Sequence, residues 1–168
     1  SNTGHKTQQI IEQMVSELYQ TVVSVMLENS SFCAQMAVDI LDRNLYERAN
    51  DVRWWALTHS FRELLGQGQL SKDDQRKMAE TLRYINNLYT VYDNLMVFDR
   101  QGEVIAVSNH QYEHLLGTQL QDEWVGRTRS CLSTQDYVVS AFEKTPLYND
   151  QSTYIYAAPI RHLDGNSI

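Results

Sequence analysis

Residues 89–109 constrain the fold of this chain most, because they close a long helical sequence and open an antiparallel sheet. The apolar runs Leu95 to Phe98 and Val104 to Val107 flank Asp99-Arg-Gln-Gly102, whose glycine supplies the positive φ that a tight hairpin needs. The segment reads as strand, turn, strand. A helical stalk joined to a small sheet through the tyrosine-rich junction Tyr89-Thr-Val-Tyr92 is the layout of an input module, with a pocket on the sheet wired to a helix. No catalytic motif competes with it.

The helical half is read from its apolar spacing. Ile11, Val15, Leu18, Val22 and Val25 step by four and three residues, a coiled-coil-like seam. Met14, Met26 and Leu27 widen the apolar face beyond that seam, so two readings stand open: an amphipathic core helix, and a long helix serving as dimer contact and signal rod. Asn29-Ser-Ser31 is expected to kink or recap the helix, after which Phe32, Met36, Ile40, Leu41 and Leu45 carry it to about Arg48. A second helix is expected after an Asn50 or Asp51 cap, carrying Val52, Trp54, Trp55, Phe61, Leu64 and Leu65 until Gly66-Gln-Gly68 ends it. Ser71-Lys-Asp-Asp74 has the capping pattern for a third helix through Met78, Leu82, Ile85 and Tyr89. Strands are expected at residues 94–99, 103–108, 137–143 and 153–161, with Trp124 in a long functional loop between the second and third. The expected class is α+β: a long N-terminal helix and two further helices (residues 1–92) packed on an antiparallel sheet (residues 93–168), in a single domain spanning residues 1–168.

Composition narrows the function classes. The formal charge of −7 and a pI near 5.1 oppose nucleic acid and anionic lipid, and the densest basic group, Arg127 and Arg129, is too small to form a patch. No apolar run approaches the roughly 20 residues needed to span a bilayer, and no signal peptide opens the chain. Ser1-Asn2 has the look of an expression-tag remnant. The turn Leu163-Asp-Gly165-Asn166 calls for a returning strand, so a final strand beyond Ile168 is expected. Cys33 and Cys131 are too sparse for a disulfide scaffold, and two thiols are expected rather than a bridge. His110-x-x-x-His114 has metal-ligand spacing on a helix, but no third Cys or His stands nearby, and no metal or cofactor is expected.

The order of a long helix, Asp51-Val-Arg53-Trp54-Trp55-Ala56, Tyr89-x-x-Tyr92-x-x-Leu95 and a hairpin resembles the extracytoplasmic Cache-type sensor region of bacterial methyl-accepting chemotaxis receptors. Glu123-Trp124-Val125, Thr145-Pro-Leu-Tyr148-Asn-Asp150 and Tyr154-x-Tyr156-Ala-Ala158-Pro159-Ile160 follow in the same order, so the resemblance covers nearly the whole chain. It implies a PAS-like sheet, a small-molecule pocket between the loops and the concave sheet face, a periplasmic location and a membrane-spanning helix outside this chain. In amino-acid-binding members the loop after the second strand carries Arg-x-Trp-Tyr. Here Trp124 takes the tryptophan position and Tyr148 the later tyrosine, while Asp122 stands where the arginine would be and Val125 replaces the aromatic.

The candidate ligand shell is Trp124, Tyr137, Phe142, Tyr148, Tyr154 and Tyr156, with Asp122 as a polar anchor and Arg53 and Trp54 in a secondary role. An indole in a polar loop suits a flat or cationic guest unless it covers the sheet. Tyr154 and Tyr156 share one face of a strand by its period of two. The expected function is therefore extracytoplasmic sensing of a small molecule such as an amino acid, carboxylate or amine, without catalysis, in a parallel homodimer joined through the N-terminal helix. The same input module also suits a histidine kinase or diguanylate cyclase, and a ligand-free structural or dimerisation domain is the rival.

Overall fold

The computed structural model describes residues 2–162, with side chains from residue 4 onward. The turn at residues 163–166 and the expected returning strand lie outside the described residues. The class is α+β, with a long N-terminal helix and small antiparallel sheets. The chain divides into two compact units, Ser1–Tyr46 and Glu47–Ile168. The first is helix throughout its described length, and every described side chain in it is exposed.

Helix α1 runs without a break over Asn2–Ala56. Both expected interruptions are absent. At Ser30 the hydroxyl donates to the Met26 carbonyl at 2.8 Å, the back-bond that lets serine sit inside a helix. Near Arg48 the expected second N-terminus is likewise continuous helix, and the real break comes at Leu57 and Thr58. Helix α2 (His59–Gly66) follows it, so the residues assigned to one helix divide between two. Helix α3 (Lys72–Leu88) begins as its sequence requires: Ser71 Oγ accepts from Asp74 N–H, and the Asp74 carboxylate accepts from Ser71 N–H.

The second unit is organised by the hairpin of β1 (Met96–Phe98) and β2 (Val104–Val107). Asp99 Oδ1 accepts from the N–H of Gln101 and of Glu103, and Gly102 takes φ +94°. All four residues of β2 are buried, so both faces of the hairpin are covered. Val97 pairs with Ala106 and Phe98 with Val104, which leaves Ile105 as an extra residue. This bulge re-phases the strand. Ile105 and Ala106 join Phe61, Met78, Leu82 and Val97 in a core beneath α2 and α3, while Val104 and Val107 face a second core.

That second core holds Tyr112, Leu115, Leu120, Trp124, Val125, Val138 and Ala157. Its chain passes through a 3-10 turn (His110–Leu115), helix α4 (Glu123–Ser130) and short strands β3 (Val138–Val139), β4 (Glu143–Thr145), β5 (Gln151–Thr153) and β6 (Tyr156–Ala157). Strand β3 pairs with β6 and β4 with β5, both antiparallel. The two long expected strands thus become four short ones in two ladders. Buried Ser108 ties the hairpin to α3: its Oγ accepts from Leu95 N–H at 2.8 Å and from Asn86 Nδ2 at 3.2 Å, and donates to Asn94 Oδ1.

A β-carbon on Gly102 would lie 2.9 Å from the Leu120 carbonyl oxygen, on a residue whose φ already disfavours any side chain. Gly102→Ala should therefore destabilise the fold by about 2–4 kcal/mol, as strain and steric overlap add. Denaturant unfolding checks this, with Gly68→Ala, which also has positive φ but open space around it, as the strain-only control.

Candidate functional site

Within residues 47–162 three groups of described aromatic side chains bear on the candidate site. The first sits where the end of α1 meets the start of β1. Rings of Trp55, Tyr89 and Tyr92 pack edge to face, with centroids 4.8 to 5.7 Å apart. Tyr92 Oη donates to Asp51 Oδ2 at 2.5 Å, the Arg48 guanidinium lies 5.0 Å from the Tyr92 ring centre, and Arg48 Nε is 3.7 Å from the same carboxylate. Burial, then the hydrogen bond to Asp51, holds the Tyr92 phenol far above its ordinary ionisation range. The Asp51 position, read from sequence as a helix cap, is instead an acceptor inside α1. Its signal was present as Arg48-x-x-Asp51 upstream of Tyr89-x-x-Tyr92.

The second group is an exposed aromatic surface. Phe142 and Tyr154 rings lie 5.0 Å apart, and Tyr154 and Tyr156 lie 6.4 Å apart. Burial first, then Tyr154 and Tyr137, raise the Tyr156 phenol, and Arg48 opposes the rise. Tyr137 joins the surface through Arg53, whose guanidinium stands 5.3 Å from its ring centre. Arg53 is itself held: Nε donates to Ala49 O, one terminal nitrogen to Gln135 O at 3.1 Å and the other to Asn50 Oδ1. Its neighbour Trp54 is 74 % exposed.

Trp124 belongs to the third group, and here an expectation is corrected. It is not in an open loop: it occupies the first turn of α4, is 5 % exposed and meets Phe98 edge to face at 5.7 Å. Ile155 and Ala157 pack on the same core as Trp124. Tyr154 and Tyr156 alternate with them and join Phe142 and Tyr137 on the other side, as the period of a strand dictates. The expected single concave surface is therefore two. On the Trp124 side lies a cleft of about 40 Å³ lined by Asp122, Trp124, Ser140, Glu143, Thr145 and Ile155. Tyr148 packs at the edge of the Trp124 core, away from that cleft's lining.

The remaining chemistry-bearing residues have local partners. His110 Nδ1 lies 2.5 Å from Glu113, and His114 Nδ1 lies 3.0 Å from the Gln111 carbonyl oxygen. Among the described residues no group of three or more His, Cys, Asp or Glu side chains is placed to hold a metal ion. Cys33 and Cys131 are both free thiols. Burial, then Asp136, raises the Cys131 thiol against the pull of Arg161 and Arg127. Among the described residues no helix is long and apolar enough to cross a membrane.

No protein-family model matches this chain, and no curated protein matches it either. The likeness to Cache-type receptors rests on the residue pattern alone.

Two outcomes follow from the geometry. Trp124→Ala removes a buried indole and should cost about 3–5 kcal/mol in denaturant unfolding, the loss of a core residue. The second concerns alkali. Burial raises the Tyr112 phenol to about 12, helped by its hydrogen bond to Asp93, and Tyr92 lies higher still. An unfolded tyrosine ionises near 10, so these phenols contribute their full stability below about pH 10 and lose it as the pH climbs toward their folded values. Unfolding midpoints should fall above about pH 10. Tyr92→Phe should flatten that fall while lowering stability at neutral pH by about 1–3 kcal/mol.

Proposed function

We propose that this chain is the extracytoplasmic sensor domain of a Cache-type bacterial chemotaxis receptor, a module that binds a small molecule and passes occupancy to its long helix. The observation that carries the reading is the attachment of the α1 end to the aromatic surface. Arg53 lies over Tyr137 and bonds to the Gln135 carbonyl, while Arg48 covers the Tyr92 ring and its charge acts on the Tyr156 phenol. A guest stacked on Tyr137, Phe142, Tyr154 and Tyr156 changes what these two arginines face, and they are one helical turn and a half apart on the same element. Binding then biases the placement of the helix end, provided the guest prefers one placement; equal affinity for both moves nothing.

The surface favours flat or cationic guests, by stacking on the rings or by competing with Arg53 for the Tyr137 face. Amino acids, carboxylates and amines are the small-molecule classes to try. The acidic balance of the chain speaks against nucleic acid. Recognition without catalysis is the reading that the stacked ring faces support. The output, whether methyl-accepting receptor, histidine kinase or diguanylate cyclase, would belong to segments outside this chain, as would the membrane anchor and its periplasmic placement.

A second reading, a structural domain with no small ligand, draws on the cleft beside Trp124. Its 40 Å³ holds about one or two waters.

Thermal unfolding against a panel of amino acids, carboxylates, amines and purines separates the two readings. A true guest at a hundredfold excess over its Kd adds about 2.7 kcal/mol of stability. Tyr137→Ala and Tyr156→Ala should each abolish that shift while lowering the ligand-free midpoint only slightly, because Tyr137 is 45 % exposed and Tyr156 half-buried. A shift that survives both substitutions would place the guest elsewhere. No shift from any compound favours the structural reading.

A further inference from the structure

Strands β4 and β5 form a hairpin with little support. Among the described residues neither strand pairs with any other, and a lone two-stranded hairpin is marginal in water. Glu143, Lys144, Gln151 and Ser152 are exposed, so Thr145 is the one buried residue of the two strands. The turn joining them holds Asn149 at φ +51° and Asp150 at φ +57°, two successive residues with side chains in the left-handed region. Backbone of that kind persists only where its surroundings hold it in place.

What fastens this turn to the rest of the unit is small. Leu147 and Tyr148 rest on the Trp124 core as partly buried side chains. Asn149 Nδ2 donates to Tyr112 Oη at 3.1 Å. Tyr112 is a fixed post, 1 % exposed and itself bonded to Asp93. At its other end the hairpin joins the unit through a narrow neck, where Ser140 N–H donates to the Ile155 carbonyl and Ile155 N–H to Ser140 Oγ, both at 2.9 Å. Residues 141–154 all lie beyond that neck. They also wall the cleft beside Trp124: Glu143, Lys144, Thr145, Pro146 and Thr153 line it from the hairpin, and Asp122 and Trp124 line it from the start of α4. At about 40 Å³ the cleft has room for one or two waters, so anything larger enters only when a wall moves.

We propose that the β4–β5 hairpin is a hinged flap, pivoting at the Ser140–Ile155 neck and latched shut by Asn149 on Tyr112, that gates the cleft beside Trp124. The same neck divides the aromatic surface. Phe142 and Tyr154 travel with the flap, while Tyr137 and Tyr156 stay with β3 and β6. Opening therefore changes the spacing of Tyr154 from Tyr156, 6.4 Å in the closed form, and joins the two sides of the strand in one motion.

Native-state hydrogen exchange on the full chain tests the flap, with Ser108 N–H, bonded to the Leu95 carbonyl at 2.8 Å, as the reporter of global unfolding. After correction for intrinsic rates, the hydrogen-bonded amides of β4 and β5 and that of Asp150 should exchange at least about 30-fold faster than Ser108. Low concentrations of guanidinium should accelerate Ser108 and leave the flap nearly unchanged, since local opening exposes little surface. Met78→Ala, a change in the core beneath α2 and α3, should accelerate Ser108 at least about 30-fold and again leave the flap alone. A flap that follows Ser108 in either test opens only with the whole unit, and the inference falls. Asn149→Ala should accelerate flap exchange about 5- to 30-fold; no change would remove the latch. Gating has its own readout. In a Cys33→Ser, Cys131→Ala background, Thr145→Cys places a thiol on the cleft wall, and an aromatic disulfide reagent should label it at the rate that flap opening sets. Labelling no faster than global unfolding permits would overturn the gate. The flap does not rest on the ligand reading: failure of every compound in the thermal panel leaves it standing, and a rigid hairpin leaves the aromatic surface standing.

Discussion

Strand β2 is the point on which the Glu47–Ile168 unit depends. It is short, yet it serves two cores, and it can do so only because the bulge at Ile105 breaks the alternation of its side chains. Without the extra residue, Val104 and Ala106 would point one way and Ile105 and Val107 the other. With it, the two valines at its ends reach the Trp124 core while the two central residues reach the helices. The Asp99 to Gly102 turn holds that register. Gly102 also lies against Leu120, whose N–H donates to the Gly102 carbonyl at 2.9 Å, so the turn that shapes the hairpin also docks the segment leading into α4.

The buried indole and the exposed phenols illustrate how one residue type takes opposite roles. Trp124 contributes by leaving water, and the transfer of a large aromatic outweighs anything its ring nitrogen would gain at a surface. Tyr137, Tyr154 and Phe142 keep 45 to 61 % of their surface in water, and their rings lean on one another and on arginine. An exposed aromatic cluster supported by cations is better suited to receiving a guest than a packed core is. At the end of α1, charge and aromaticity are combined differently: Tyr92 gives its proton to Asp51 while Arg48 covers its ring, a half-buried cluster that holds the helix end to the start of β1.

Much of the local structure was legible in the residues. The hairpin turn, the Ser71 to Asp74 capping box and the helical run of the first half each depend on contacts within a few residues, and each appears where its pattern lies. The readings that missed had a local signal with a local alternative. Asn29-Ser-Ser31 resembles a cap, but serine can equally bond back to the preceding turn, and the apolar residues on both sides favoured continuity. Residues 137–143 and 153–161 read as long strands; they fold as short pieces because Phe142 and Tyr154 turn outward between separate ladders.

By itself the sequence determined the α+β class, the helical first half, the chemistry of the turn and the presence of an aromatic-rich second half, since all of these follow from spacing and backbone preference. Tertiary structure alone decided which aromatics are core and which are surface. Trp124 and Tyr156 are 32 residues apart, and nothing in their neighbours states that Ile155 and Ala157 would face the indole and leave the tyrosines on the other side. That choice is made by the pairing of β3 with β6 and by the packing of α4 on the hairpin. Side-chain period tells which residues share a face; only the partner strand tells what that face meets.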